Sequence, residues 1–357
     1  MPLLLSEVDT VATTKILPGV ADNFFKADPA MAYFKSRFQR GWTGPSIQEN
    51  YGFRALKGGA YRPGQQFDIQ KVRTFSGIRF TPRYYDVNVT EILEELEVEM
   101  AGPTAAFKRL DIDMAEAALT LSGILACAIY QNGQDLTASG GADRSAELNG
   151  LEEALTDGVN TTFTGSTFTT YGGQQRGAAG GIGNALNSPV GLITPSQTTT
   201  SFRVLEHSYL SACVGKEHPK LGITTNRMMG YIAETFTPQQ KIDTVDPEIN
   251  WPGLKFNQST IVMGQYVPGQ DISDDDVSQL GAVRPSSGET FWWFNPGDPG
   301  DKAYMKLWIA ASPKFAFGFT GFKGARDDNM VAGQILFAGN FSNISPRYSR
   351  ALYGLTK

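Results

Sequence analysis

The sequence predicts an α+β chain. Three observations carry that expectation. Apolar residues recur at three- and four-residue steps from Pro103 to Tyr130, which is helix spacing. Period-two alternation marks Phe67–Gln70 and Tyr85–Val89 as strands. Short apolar runs then recur between turn residues from Leu221 to Phe337, with helical patterns among them.

Composition narrows the class. At 357 residues the chain has room for two or three folding units of roughly 100–200 residues each. A hydrophobic content of 41% is enough for a sizeable core and excludes a wholly disordered chain. Charged residues, at 19%, fall below the usual ~25%. The 39 glycines and 19 prolines make it loop-rich without reaching low complexity. A net charge of −5 argues against a surface that grips nucleic acid by its phosphates. Two cysteines, Cys127 and Cys213, cannot form a disulfide framework in so long a chain, so intracellular folding is expected. The opening Met1-Pro2-Leu3-Leu4-Leu5 has no basic leader and reads as no signal peptide. The most apolar stretch, Leu119 to Tyr130, is broken by Thr120, Ser122 and Gly123. It is also short of the ~20 residues that cross a bilayer, so a soluble chain with no membrane partner is expected.

Taken in order, residues 1–50 carry Pro2, Pro18, Pro29 and Pro45 with little periodicity, and read as an arm with a short helix near Pro29–Phe38. Such an arm needs a partner surface to become ordered. Residues 51–89 read as a long β-hairpin, with Gly58-Gly59-Ala60-Tyr61-Arg62-Pro63-Gly64 supplying the turn conformations of its tip. The helix over 103–130 starts at Pro103, where the missing N–H is harmless, and stops at Asn132-Gly133. Phe107, Leu110, Met114, Ala117, Ala118, Leu121, Leu125 and Ala128 form its apolar face, with Cys127 on or beside it as a core residue. Residues 149–201 are rich in turns and threonine. Helices are predicted over Phe202–Gly215 and Asn226–Phe236, around a strand at Leu221–Thr225. Strands follow at Ile261–Met263, Phe291–Phe294, Met305–Ala311, Phe315–Phe319 and Gln334–Phe337.

Charge is segregated along the hairpin. Seven bases (Arg54, Lys57, Arg62, Lys71, Arg73, Arg79, Arg83) face one acid, Asp68, between Tyr51 and Tyr85. Six acids (Asp86, Glu91, Glu94, Glu95, Glu97, Glu99) and no base follow from Asp86 to Glu99. Two readings fit: two solvated faces, or a basic arm of one copy lying on the acidic patch of another.

Patterns for chemistry are sparse, so no catalytic residue, metal or cofactor is expected. His207 and His218 stand eleven apart, and neither a His-x-x-x-His nor a Cys-x-x-Cys spacing occurs. The glycines of 177–183 lack the Lys-Ser/Thr of a phosphate loop. There is no Gly-x-Ser-x-Gly elbow. Asp271, Asp274, Asp275 and Asp276 lack calcium-loop spacing. Phe291-Trp292-Trp293-Phe294 reads as a strand with two buried faces rather than a ligand platform.

Several segments, in order, resemble the major capsid proteins of tailed bacteriophages, which have the Hong Kong 97-type capsid fold. They are Leu148-Asn149-Gly150-Leu151-Glu152-Glu153-Ala154-Leu155, then Tyr171-Gly172-Gly173-Gln174-Gln175-Arg176. Leu210 to Gly215 runs into Pro219-x-Leu221-Gly222-Ile223-Thr224-Thr225, and Phe236 to Gln240 and Gly253 to Asn257 follow. Gln334 to Asn340, with Arg347 and Arg350 after it, closes the series. The resemblance spans about residues 50–357.

It implies an N-terminal arm over 1–50, an extended hairpin loop over 51–89, and a peripheral domain over 90–215 with a spine helix over 103–130. An axial domain over 216–330 and a return to the peripheral domain over 331–357 complete it. The function it implies is structural and non-enzymatic: self-assembly into an icosahedral shell, a virion component put together in the host cytoplasm around phage double-stranded DNA. Expected partners are copies of the chain in pentamers and hexamers and a portal protein, with DNA enclosed without sequence-specific binding; lacking a long N-terminal scaffold-like extension, the chain implies a separate scaffolding protein or none at all, and a decoration protein is open. The expected intersubunit contacts are basic (Arg54, Lys57, Arg62, Lys71, Arg73) and acidic (Glu91, Glu94, Glu95, Glu97, Glu99). Some family members cross-link a loop lysine to a neighbour's asparagine; Lys57 with Asn340 or Asn343 is the conceivable pair, and no link is expected. An encapsulin-type shell around protein cargo and a soluble α+β enzyme are the rival readings.

Overall fold

A computed structural model describes residues 28–35, 37–66, 69–92, 103–137, 142–176, 182–189, 199–236, 243–270, 280–299, 303–324 and 330–357, with the backbone alone at 40, 103–111, 182–183 and 324. Its elements run α1 (Pro29–Phe34), β1 (Phe38–Trp42), β2 (Ile47–Gly52), β3 (Phe75–Phe80), β4 (Arg83–Ile92), α2 (Pro103–Ala128) and α3 (Leu151–Ala154). Next come β5 (Thr170–Tyr171), β6 (Gln174–Gln175), α4 (Phe202–Ala212), β7 (Leu221–Thr224), α5 (Asn226–Thr235), β8 (Asp243–Val245), β9 (Pro252–Phe256) and β10 (Ser259–Met263). The last are β11 (Glu289–Phe294), β12 (Met305–Ala310), β13 (Ala316–Phe319), β14 (Lys323–Gly324), β15 (Met330–Asn343) and β16 (Arg350–Leu355).

Two six-stranded sheets organise the molecule. The first is built on β15, which pairs antiparallel with β4 over its first ten residues, and with β12, β13 and β14. β1 joins β12 in parallel. The second runs β16-β11-β7-β10-β9-β8, with β7 and β10 parallel. This division departs from the expected segments. β12, β13 and β14, placed by sequence in 216–330, pair into the first sheet, while β16, placed in the 331–357 return, closes the second. α4, placed before residue 216, also packs its Val204, Leu205 and Tyr209 into the second sheet's core. Sheet membership follows hydrogen-bonded edges, which sequence segments do not mark.

The spine helix α2 ends at Ala128, two residues short of the expected 130, with Met114, Ala117, Ala118, Leu121, Leu125 and Ala128 buried. Its three- and four-residue apolar spacing turns that face onto the core. The helix ends in a tightened turn, where Gln131 N donates to Ala128 O at 3.2 Å. Gly150 then crosses the helix end so closely that a Cβ there would lie 2.5 Å from the carbonyls of Ile129 and Gln131. This contact lets Leu151 N donate to Ile129 O at 2.7 Å and start α3.

Strand β11 separates two cores. Trp292 and Phe294 face the larger cluster; Phe291 and Trp293 face the smaller one with α4 and α5, as period-two alternation in a fully buried strand requires.

Candidate functional site

The feature most suited to contact with other molecules is the loop between β2 and β3. Those strands pair from Ile47↔Phe80 to Gly52↔Phe75, and Phe53 N adds one more bond to Thr74 O at 3.0 Å. Beyond that point the described chain carries no ladder. The reversal therefore rests on residues 47–52 and 75–80, while the alternating 85–89 run belongs to β4 and pairs with β15. Of the 67–70 run, Phe67 and Asp68 lie outside the described residues, and Ile69 and Gln70 are not in a strand. An extended segment becomes a strand only beside a partner, and Ile69 and Gln70 belong to no described strand.

The loop is apolar and basic at once. Leu56 is 75% exposed, Ile69 91% and Phe75 68%. Arg54, Lys57, Arg62, Lys71 and Arg73 are all exposed along it. Lys57 Nζ donates to Gln70 Oε1 at 3.2 Å, joining the two arms, and Arg73 Nε donates to Phe75 O at 3.1 Å.

The base of the loop, in contrast, is fixed. Glu49 points inward from β2, accepting from Trp308 Nε1 at 2.9 Å and facing Lys306 Nζ at 3.5 Å. Burial pushes its carboxyl up, and Lys306 pulls it back. On the other strand, Arg79 N donates to Gly172 O at 2.9 Å and Gln174 Nε2 donates to Gly77 O at 2.9 Å. Gly172 has φ +55°, and a Cβ there would meet Ile78 at 2.7 Å, so only glycine lets the 171–174 turn lie on β3.

Behind that turn lies a buried polar knot. Arg176 donates through Nη1 to Glu153 O at 2.7 Å and through Nη2 to Ala154 O at 3.1 Å. Burial brings its guanidinium down to about 10. The Glu153 carboxylate accepts from Asn149 Nδ2 and Gln134 Nε2, each at 2.8 Å. Glu152 accepts from Asn132 Nδ2 at 2.8 Å and from the hydroxyls of Thr162 and Thr164. Burial pushes both carboxyls up, and these donors oppose it. Asn340 of β15 closes the knot, donating to Thr81 O at 2.6 Å and Asn149 Oδ1 at 2.8 Å. The motif segments singled out in the sequence thus meet as a structural joint between spine helix, loop base and β15, in which both terminal nitrogens of Arg176 are engaged while its buried Nε has no partner among the described residues.

The acidic candidates divide. Glu94, Glu95, Glu97 and Glu99 lie outside the described residues. Glu91 is 4% exposed, on the face of β4 turned into its own subunit, so it drops out of any acidic docking surface. Asn340 and Asn343 are both fully buried, which removes them as partners for a neighbour's Lys57. His207 and His218 are half-buried, with His218 Nδ1 3.2 Å from Lys216 O. Among the described residues no cluster of metal-ligating side chains occurs, and no helix is long and apolar enough to cross a membrane. Sequence reasoning missed Glu49 and Lys306 as the clamp of the loop base. The signal available was an acid at an inward position of an alternating strand.

No protein-family model matches the chain, and no curated protein matches it by sequence. Solved structures do. The cyanophage A-1(L) capsid subunit aligns over 92% of this chain and 93% of its own, with TM-score 0.56 and 11% identity. The capsid of the native GTA particle aligns over 91% and 90%, with TM-score 0.52 and 8% identity. The SrpI encapsulin of Synechococcus elongatus PCC 7942 aligns over 99% and 96%, with TM-score 0.51 and 7% identity. The chain has the Hong Kong 97-type capsid fold, the architecture of shell-forming subunits.

Proposed function

We propose that the chain is a major capsid protein, assembling as pentamers and hexamers into an icosahedral shell that encloses phage double-stranded DNA. The observation that supports this most directly is the loop of 53–74. It exposes Leu56 and Ile69 beside five basic side chains on a rigidly clamped base, in a subunit with a shell-forming fold. A loop of that make-up is costly in a monomer and becomes favourable when it lies across a neighbour. The net charge of −5 suits an inner wall that does not adhere to packaged DNA. A portal protein, a separate scaffolding or decoration protein, assembly in the host cytoplasm and a place in the virion belong to the same reading. Within it, residues 1–50 form the arm, the extended loop narrows from 51–89 to the reversal between β2 and β3, 90–215 is the peripheral domain, 216–330 the axial domain and 331–357 the return to the peripheral domain. The exchange of strands between sheets adjusts the last boundary.

Electron microscopy of the purified protein tests the reading. Closed particles, or rings of five and six, are expected; a monodisperse monomer under every salt and crowding condition overturns it. The encapsulin alignment, which spans nearly the whole of both chains, favours a second reading as a shell around protein cargo. Particles from cells separate the two: nuclease-protected DNA inside supports the first, a stoichiometric protein cargo the second.

A further inference from the structure

We infer that Asp28 is a pH-dependent latch where helix α1 meets the end of the spine helix: neutral, it holds the two together; ionised, it loosens them. This inference does not depend on the shell reading.

Asp28 is completely buried and caps α1. Its Oδ1 accepts two hydrogen bonds, from Ala30 N at 2.8 Å and from the hydroxyl of Tyr130 at 2.6 Å. Its Oδ2 has no hydrogen-bond partner and lies against Gly264, where a Cβ would come within 2.8 Å of it. Gly264 is itself pinned to the second sheet, its N donating to Thr224 O at 3.0 Å. Both donors therefore sit on Oδ1, which leaves Oδ2 as the oxygen available to carry a proton.

Among the described residues, the titratable groups around Asp28 offer no positive charge. Tyr130 and Cys127 face it from the end of the spine helix, and Tyr266 from the 264–267 turn. On the far side of α1, the Tyr33 hydroxyl donates to the Asp246 carboxylate at 2.9 Å. Arg37, just beyond α1, is engaged by Gly297 O at 2.7 Å and by Glu248. Burial pushes the Asp28 carboxyl up to about 7, well above the ordinary carboxylate range. The Tyr130 hydroxyl and the Cys127 thiol are pushed up as well, so neither can take over the charge.

The sign follows from linkage. A carboxyl raised in the closed state binds its proton more tightly there than when opened to water. Opening is therefore least favourable below about pH 4, grows about tenfold per pH unit between about 4 and 7, and levels off above. Ionisation would leave a buried negative charge with no counter-ion among the described residues, and moving α1 away relieves it.

Cys127 reports the movement, because it is 2% exposed and adjoins Asp28. The full chain carrying Cys213→Ser, with and without Asp28→Asn, is labelled with a maleimide from pH 5.5 to 8. The ratio of the two rates cancels the thiol's own titration. Asparagine keeps the Oδ1 acceptor and cannot ionise. The ratio is expected to rise about 30-fold across this range, with half of the rise complete by pH 7; a ratio constant within about twofold overturns the latch. If the asparagine chain fails to fold, hydrogen exchange in the parent chain decides. Protection of the Ala30 amide relative to that of Ile223 should fall over the same range, and parallel behaviour of the two amides overturns the inference.

Discussion

Arg176 lies over the ring of Tyr171, its guanidinium carbon 4.6 Å from the ring centre, while its two terminal nitrogens cap the carbonyls of Glu153 and Ala154. One side chain thus ties the turn under the loop to the short helix that follows the spine. The Tyr171 hydroxyl carries the connection further, accepting from Asn343 N at 2.9 Å at the end of β15.

Replacing Arg176 with methionine should keep much of the volume and remove both carbonyl donors. A loss of about 3 kcal/mol is expected, from two buried acceptors left without a charged donor. Arg176→Lys should recover only part, because one ammonium cannot span both carbonyls and the ring. Urea midpoints at constant slope read the difference; equal midpoints for all three chains would show that the joint carries little stability.

Gly172→Ala puts a side chain at φ +55° and within 2.7 Å of Ile78. Strain and overlap together should cost about 2–4 kcal/mol. The loop base should loosen first, so limited proteolysis between residues 53 and 74 should quicken before the core melts. Cleavage no faster than in the parent chain would contradict the clamp.

Reversing Arg54, Arg62 and Arg73 to glutamate should reduce assembly, and adding Glu94, Glu95 and Glu97 to lysine in the same chain should partly restore it. Each exposed pair is worth only about 0–1 kcal/mol, but the contact repeats around a ring. Its strength should fall as salt shortens the Debye length below about 10 Å. Sedimentation at two ionic strengths measures this, and normal assembly of the triple reversal at low salt would leave these bases a solvated surface.

Mature particles should run as single-chain bands on a denaturing gel with respect to Lys57, since Asn340 and Asn343 are both at 0% exposure. A ladder abolished by Lys57→Arg would require one of these asparagines to leave the core, or a different acceptor.

Replacing His207 and His218 together should leave assembly intact. Neither joins the loop, its clamp or the Arg176 joint, and His218 touches only the Lys216 carbonyl among the described contacts. Loss of particles with folding preserved would point to a contact made by a second copy.

The helices were legible in advance because their information is local. Met114 to Ala128 falls on one face whatever the rest of the chain does, and Ser201 and Thr225 cap α4 and α5 from adjacent positions. The same holds for Trp292 and Trp293, whose opposite burial follows from alternation alone. The loop was legible by composition and misread in pairing at Tyr85–Val89, which alternates as a hairpin strand would but finds its edge on β15.

The sequence by itself determined the α+β class, the spine helix, several strands between Leu221 and Phe337 and the basic, turn-rich loop, each set by periodicity or turn chemistry within a short window. The tertiary structure alone decided which edges meet. β4 lies on β15 with Gln334 opposite Asn88, β1 runs parallel to β12, and β16 crosses to close the second sheet. It also decided that Glu91, Asn340 and Asn343 are interior while Leu56 and Ile69 are exposed. A strand's alternation says which residues share a face, not which face is covered; that depends on pairing and packing between residues far apart in the chain.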